Sequence, residues 1–201
     1  MKTTILAVAV IAAVASFGFP AAPTLANDYR EKGKSFELSG SGVFVSPPRD
    51  WNRLSIRPGK FAETWTLDGE QLNDVTFYSG VEVGAPLVKE RDKKRQPLPR
   101  FTAETLLVEV PELLEGTYRA YKQIGEFRSL GSRPGSYLGA PGVVFNYEFT
   151  DADGIRRSGE AHAAIIAKKL YMASFDAPRI HFYQKGVGDF RALLTTAKRQ
   201  S

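Results

Sequence analysis

APGVVFNYEFTDADGIRRSGEAHAAIIAKKLYMASFDAP, residues 140–178, is the stretch on which the reading of the fold turns. Val143, Phe145, Tyr147 and Phe149 alternate with smaller or polar residues, the period-two pattern of a strand with one buried face. Asp151-Ala152-Asp153-Gly154 is a turn with glycine where a positive φ is wanted. A second strand carries Ala161, Ala163 and Ile165 on one face, Ala167-Lys168 closes a second tight turn, and Leu170 to Phe175 forms a third strand. A one-residue slip would turn each side chain to the opposite face. Pairing Phe149 with Ile155 keeps one face apolar: Tyr147 then faces Arg157, Phe145 faces Gly159 and Val143 faces Ala161. The other face pairs Glu148 with Arg156 and Asn146 with Ser158. Slipping by one sets Phe149 against Arg156 and Phe145 against Glu160, which mixes apolar and charged groups.

Working outward, Phe127 to Leu130 reads as a strand, followed by a Gly/Pro/Ser-rich connection through Arg133-Pro134-Gly135. Thr102 begins a helical region whose stripe of Leu106, Leu107, Val110, Leu113 and Leu114 continues to Tyr118 and Tyr121. Pro111 implies a kink, or two short helices with Pro111 opening the second. Before it, Gly40–Ser46, Asp50–Ile56, Phe61–Leu67 and Asp74–Val81 read as short strands, with Trp51 and Trp65 as core candidates. Glu82 to Pro99 has no periodicity, and loops of that length are usually functional or disordered. A final helix covers about Gly188 to Lys198. Strands, helix, strands, helix in that order imply α+β: an antiparallel sheet covered by helices.

The first residues read as a targeting segment. Lys2, the apolar run Ile5–Phe19 and the small-x-small Thr24-Leu25-Ala26 make residues 1–26 a signal peptide cleaved after Ala26. Residues 27–40 read as a flexible leader and 41–201 as one domain. A periplasmic or secreted location follows. No later run approaches the roughly 20 apolar residues of a membrane span. The chain has no cysteine, which removes disulfides, thiol nucleophiles and thiolate metal sites, and its two histidines remove a histidine-rich metal site. Neither metal nor cofactor is expected. The net charge of +5 falls to +4 without Lys2, and much of it lies in KERDKKRQPLPR, residues 89–100. Lys89, Arg91, Lys93, Lys94 and Arg95 form a candidate partner-binding segment, or a foothold on an anionic surface. No aromatic residue interleaves with them, which argues against nucleic acid.

Two further stretches carry a family resemblance. GVFVSPPRDW at Gly42–Trp51, and Tyr147-Glu148-Phe149 followed by KLYMASFDAP at Lys169–Pro178, resemble the PsbP-like and Ran-binding Mog-type superfamily, in its bacterial envelope (DcrB-like) branch. The resemblance covers about Gly42 to Lys198. It implies an α–β–α sandwich and a binding or assembly role without chemistry, with an envelope protein as partner. It carries no partner-binding residue onto this chain.

The residues themselves offer one polar constellation. Glu160 and His162 share a strand face, and the expected register adds Asn146, Glu148 and Arg156 as a candidate ligand-binding strip. Ser158 would complete a Ser–His–Glu set, but no G-x-S-x-G elbow is present, so no catalytic residue is assigned. The expected function is a non-enzymatic binding module. Its alternatives are a small-ligand carrier with a pocket between sheet and helices, and a hydrolase centred on His162.

Overall fold

The computed structural model describes residues 27–200, so the expected signal peptide and its cleavage after Ala26 lie outside the described residues. In chain order the elements are β1 (Asp28–Arg30), β2 (Phe36–Glu37), β3 (Val43–Val45), β4 (Trp51–Arg53), β5 (Ala62–Thr66), β6 (Asp74–Val81) and α1 (Val110–Tyr121). There follow β7 (Phe127–Tyr137), β8 (Ala140–Thr150), β9 (Arg156–Ile166), β10 (Lys169–Pro178), α2 (Phe182–Thr195) and β11 (Lys198–Arg199). Eight strands form one antiparallel sheet in the order β1-β4-β5-β6-β10-β9-β8-β7, and β11-β3-β2 form a small second sheet. No helix among the described residues is long and apolar enough to cross a membrane.

The large sheet separates two cores. On one face Val110, Leu114 and Tyr118 of α1, with Leu87, Val88, Leu98 and Phe101 from the long segment before it, cover Phe145, Tyr147, Phe149 and Met172. On the other face Val187, Phe190 and Leu193 of α2, with Leu38, Val43 and Val45, cover Trp65, Phe77, Ala173 and Phe175. This is the expected α+β arrangement, an antiparallel sheet between helices. Both tryptophans are core residues. Burying each such large side chain contributes about 1.5–3 kcal/mol.

The β8–β9 register differs from the expectation by two residues. Phe149 faces Arg157, Tyr147 faces Gly159, Phe145 faces Ala161 and Val143 faces Ala163. Glu148 therefore faces Ser158, and Asn146 faces Glu160. Every side chain keeps its expected face, because a shift of two preserves the alternation. Two features select this pairing. The Asp151 amide donates to the Ile155 carbonyl and that of Gly154 to Asp151, leaving only 152–154 as the loop, with Gly154 at φ +79°. The Tyr147 ring also lies where any Cβ at position 159 would stand, so its partner has to be glycine. The next turn holds Ala167 and Lys168 at φ 49° and 60°, as a tight hairpin requires.

Three further expectations are corrected. Residues 27–40 are not a free leader: β1 pairs with β4, β2 pairs with β3, and Leu38 is fully buried. The Gly/Pro-rich stretch after Leu130 is the continuation of β7, which pairs with β8 as far as Tyr137. Pro134 is tolerated because β7 ends the sheet and one of its sides needs no ladder. The last helix begins at Phe182 rather than Gly188, where Gly186 lets it settle on the Phe175 ring. Pro111 sits in the first turn of α1, as the second reading has it, but the helical region begins with a single 3-10 turn at Leu107–Glu109 rather than at Thr102.

Candidate functional site

The polar strip read from the sequence lies under α2. His162 Nε2 is 2.9 Å from Glu160 Oε1, and Asn146 Nδ2 is 3.4 Å from Glu160 Oε2. Arg191 of α2 grips the same carboxylate with Nε at 3.0 Å and a terminal nitrogen at 2.5 Å. Burial would raise the Glu160 pKa, but the bonds from His162 and Arg191 outweigh it and bring it down to about 2. The group is a fixed anion that ties α2 to the sheet. Glu148 bonds Arg128 at 2.7 Å and Ser158 at 3.3 Å, with Arg179 at 3.6 Å. Arg156 stands apart, exposed beside a depression of about 100 Å³. Asn146, Glu160 and His162 are thus brought together and saturate one another, and His162 lines none of the described cavities. Ser158 bonds Glu148 rather than His162, so the hydrolase triad is not assembled.

Lys89, Arg91, Lys93, Lys94 and Arg95 are all exposed. Asp92 holds their loop by accepting from the amides of Lys94 and Arg95 at 3.1 and 3.0 Å. Arg91 leaves the group and lies 4.6 Å above the Tyr121 ring, at the rim of a cleft.

That cleft, of about 470 Å³, lies between α1 and the sheet, on the face opposite the strip. Thr64, Asp74, Thr76 and Tyr78 form its floor on β5 and β6; Thr117, Tyr118 and Tyr121 of α1 form a wall, with Lys122 just beyond. The alternation of β6 places Asp74, Thr76 and Tyr78 on one face, and β10 brings Asp176 directly opposite Asp74.

Asp176 is saturated. Its Oδ2 accepts from Tyr118 at 2.9 Å and Lys122 at 3.0 Å, and its Oδ1 from Arg157 Nε at 2.8 Å. Burial acts to raise its pKa, but the Lys122 and Arg157 charges and these bonds hold it below the usual range. Asp74 is the contrary case. Its nearest cation is Arg157 at 4.0 Å, and its buried Oδ1 has no hydrogen-bond partner among the described residues. Burial, then the Asp176 charge, push its pKa up to about 7 against the pull of Lys122 and Arg157. Two facing carboxylates have been driven apart in proton affinity, a pattern concentrated at functional sites.

Sequence reasoning missed this cleft. One signal was available: Asp74 and Thr76 on β6, and Ser174 and Asp176 on β10, put polar residues at alternate positions of a face that is otherwise apolar.

No protein-family model matches the sequence, and no curated protein matches it. Solved structures do. Cyanobacterial PsbP from Synechocystis aligns over 94% of this chain and 98% of its own, at 11% identity and a TM-score of 0.49. The Ran-binding protein Mog1p of Saccharomyces cerevisiae aligns over 84% and 96%, at 10% identity and 0.44. LpqN of Mycobacterium tuberculosis, involved in cell envelope biogenesis, aligns over 84% and 86%, at 8% identity and 0.36. At such identities these are likenesses of fold alone.

Proposed function

We propose that this chain is a non-enzymatic binding module of the cell envelope, exported by residues 1–26, which holds its ligand in the cleft between α1 and the sheet. The observation that carries the reading is the Asp74 carboxylate: it is buried at the floor of a cavity of ligand size, with one oxygen left unpartnered. Burial of a carboxylate is costly without compensation, and a bound group can supply what the fold omits. Non-enzymatic action is supported by the saturation of the remaining groups. Asp176 has three donors, Glu160 is clamped by Arg191, and neither is free to exchange protons with a substrate. Export rests on the sequence of residues 1–26 alone.

The basic segment belongs to the same reading. Arg91 forms part of the cleft rim, so an acidic envelope partner engaging Lys89, Lys93, Lys94 and Arg95 would sit beside the mouth. The test is native mass spectrometry of the chain recovered undenatured from its own envelope, compared with Ile56→Trp. Ile56 lines the cleft and is 70% exposed, so the larger ring obstructs the mouth without disturbing the core. A small-molecule adduct present in the wild type and lost in the variant is expected. An adduct retained by the variant refutes the cleft as its site.

A further inference from the structure

We infer that the ligand of the cleft is an organic cation presenting a primary ammonium group, with Asp74 as its counter-ion. The inference rests on the cleft being the recognition site, and adds the chemistry of what enters it.

Charge counting comes first. Arg157 lies within 4.0 Å of three carboxylates, Asp74, Asp151 and Asp176, and Lys122 adds a second cation on Asp176. With Asp74 ionised, three anions against two cations leave one negative charge in excess. At the rim Glu70 and Arg91 offset each other. Both inner cations are held on Asp176. Arg157 gives Nε to the Asp176 carboxylate, one terminal nitrogen to the Asp176 carbonyl at 3.2 Å and the other to the Gln71 carbonyl at 2.5 Å. Lys122 is held by Asp176 at 3.0 Å and lies 4.2 Å from the centre of the Tyr118 ring. Neither donates to Asp74 Oδ1.

Donor counting then selects the ammonium. Besides Asp74 Oδ1, the floor offers the Thr64 and Thr76 hydroxyls, 3.0 Å apart, each keeping acceptor capacity after their mutual bond. An ammonium has three donors and no acceptor, which matches one carboxylate and two hydroxyls. An anion at the floor would be set against the Asp74 carboxylate. A divalent ion needs about six oxygen ligands, commonly from several carboxylates. The Asp176 oxygens are occupied, and no group of three metal-ligating side chains occurs among the described residues.

Occupation by an ammonium requires Asp74 ionised. An alkylammonium stays charged up to a pH of about 10, so affinity follows the Asp74 carboxyl and rises with pH through the region of about 7. The groups facing Asp74 are Asp176, Lys122, Arg157 and Glu70.

The test is titration of the isotope-labelled chain with n-butylammonium, n-butanol and butyrate, read by amide NMR at pH 6 and pH 8. For n-butylammonium, shifts at Thr76, Tyr78, Tyr118 and Lys122 are expected, with about tenfold tighter binding at pH 8. Asp74→Asn should lower that affinity at pH 8 at least tenfold and remove the pH dependence. A capped pentapeptide with one central lysine distinguishes a free amine, which alone enters, from a partner's lysine, when both enter. Equal binding of n-butanol or butyrate at the same amides overturns the ammonium and leaves the cleft standing. Equal n-butylammonium affinity at the two pH values, or in Asp74→Asn, overturns the counter-ion role. If no probe moves the cleft amides, both readings fall.

Discussion

Asp74→Asn tests the energetics of the cleft without any ligand. The substitution keeps the shape of the side chain and removes a charge that the fold does not compensate. At 1.36 kcal/mol per pKa unit, a carboxyl raised from its ordinary 3.8 to about 7 costs on the order of 4 kcal/mol once ionised in the folded state. That is a ceiling, because asparagine also gives up the attraction of Arg157 at 4.0 Å. A net gain of about 1–3 kcal/mol at pH 8 is therefore expected, within the range set by that ceiling and by the loss of a long buried ion pair.

The sign follows from linkage. The folded carboxyl holds its proton more tightly than the unfolded one, so the contribution of Asp74 is fully present below about pH 3.8 and is lost as pH rises through about 7. The variant has no such loss at this position. Urea unfolding followed by far-UV circular dichroism at pH 4, 6 and 8 should show the two proteins converging at pH 4 and diverging upward, with the variant the more stable. A variant less stable than wild type at pH 8, or a gap that does not widen with pH, would refute the claim that Asp74 is uncompensated. A more stable but ligand-impaired variant is the expected signature of a site held at some expense of stability.

Asp176→Asn should do the opposite, destabilising by about 3–5 kcal/mol in the same assay, because Arg157 and Lys122 then remain under the sheet without their shared anion. Gly159→Ala should cost about 1–3 kcal/mol and lower the thermal midpoint, since the new methyl and the Tyr147 ring require the same space; an unchanged midpoint would contradict the observed register. Glu160→Gln should destabilise by about 1–3 kcal/mol at pH 7, allowing for screening at the half-exposed Arg191. Since the folded Glu160 pKa is lowered from 4.5 to about 2, that contribution is present above 4.5 and lost as pH falls towards 2, so the variant and wild type should approach each other in acid. Replacing Lys93, Lys94 and Arg95 by serine should leave the midpoint within about 0.5 kcal/mol of wild type, because all three are exposed.

Period-two alternation made the faces of β8, β9 and β10 legible in the sequence, but alternation cannot distinguish registers two residues apart. The choice lay in one steric fact, the Tyr147 ring over Gly159, and in the bonding of the Asp151 turn. β7 was half legible because Gly131, Pro134 and Gly135 carry turn chemistry, and only its place at the sheet edge lets them be strand. Glu160 and His162 could be placed on one face, whereas Arg191, which neutralises them as a site, arrives from a separate helix. The cleft needed tertiary knowledge of the same kind. Asp74 and Asp176 become neighbours only when β10 returns to pair with β6.

The two faces of the sheet treat buried charge in opposite ways, and the proposed site rests on that contrast. Under α2, Glu160 receives a bidentate arginine and a histidine, so the helix is clamped to the sheet. Under α1, the tie is placed at one end only: Tyr118 and Lys122 fasten the end of the helix to Asp176. The cleft wall, Thr117, Tyr118 and Tyr121, belongs to that same end of the helix, and the Thr64, Asp74 and Thr76 side chains of the floor are too polar to be closed over by apolar packing without unmet bonds. Collapse of the cleft would bury Asp74 further and raise its cost, so the carboxylate opposes closure of the cleft. A structural polar network would have supplied Asp74 with a donor, as it supplied Asp176 with three. Asp74 Oδ1 has no such donor, and a donor there is what the proposed ligand would supply.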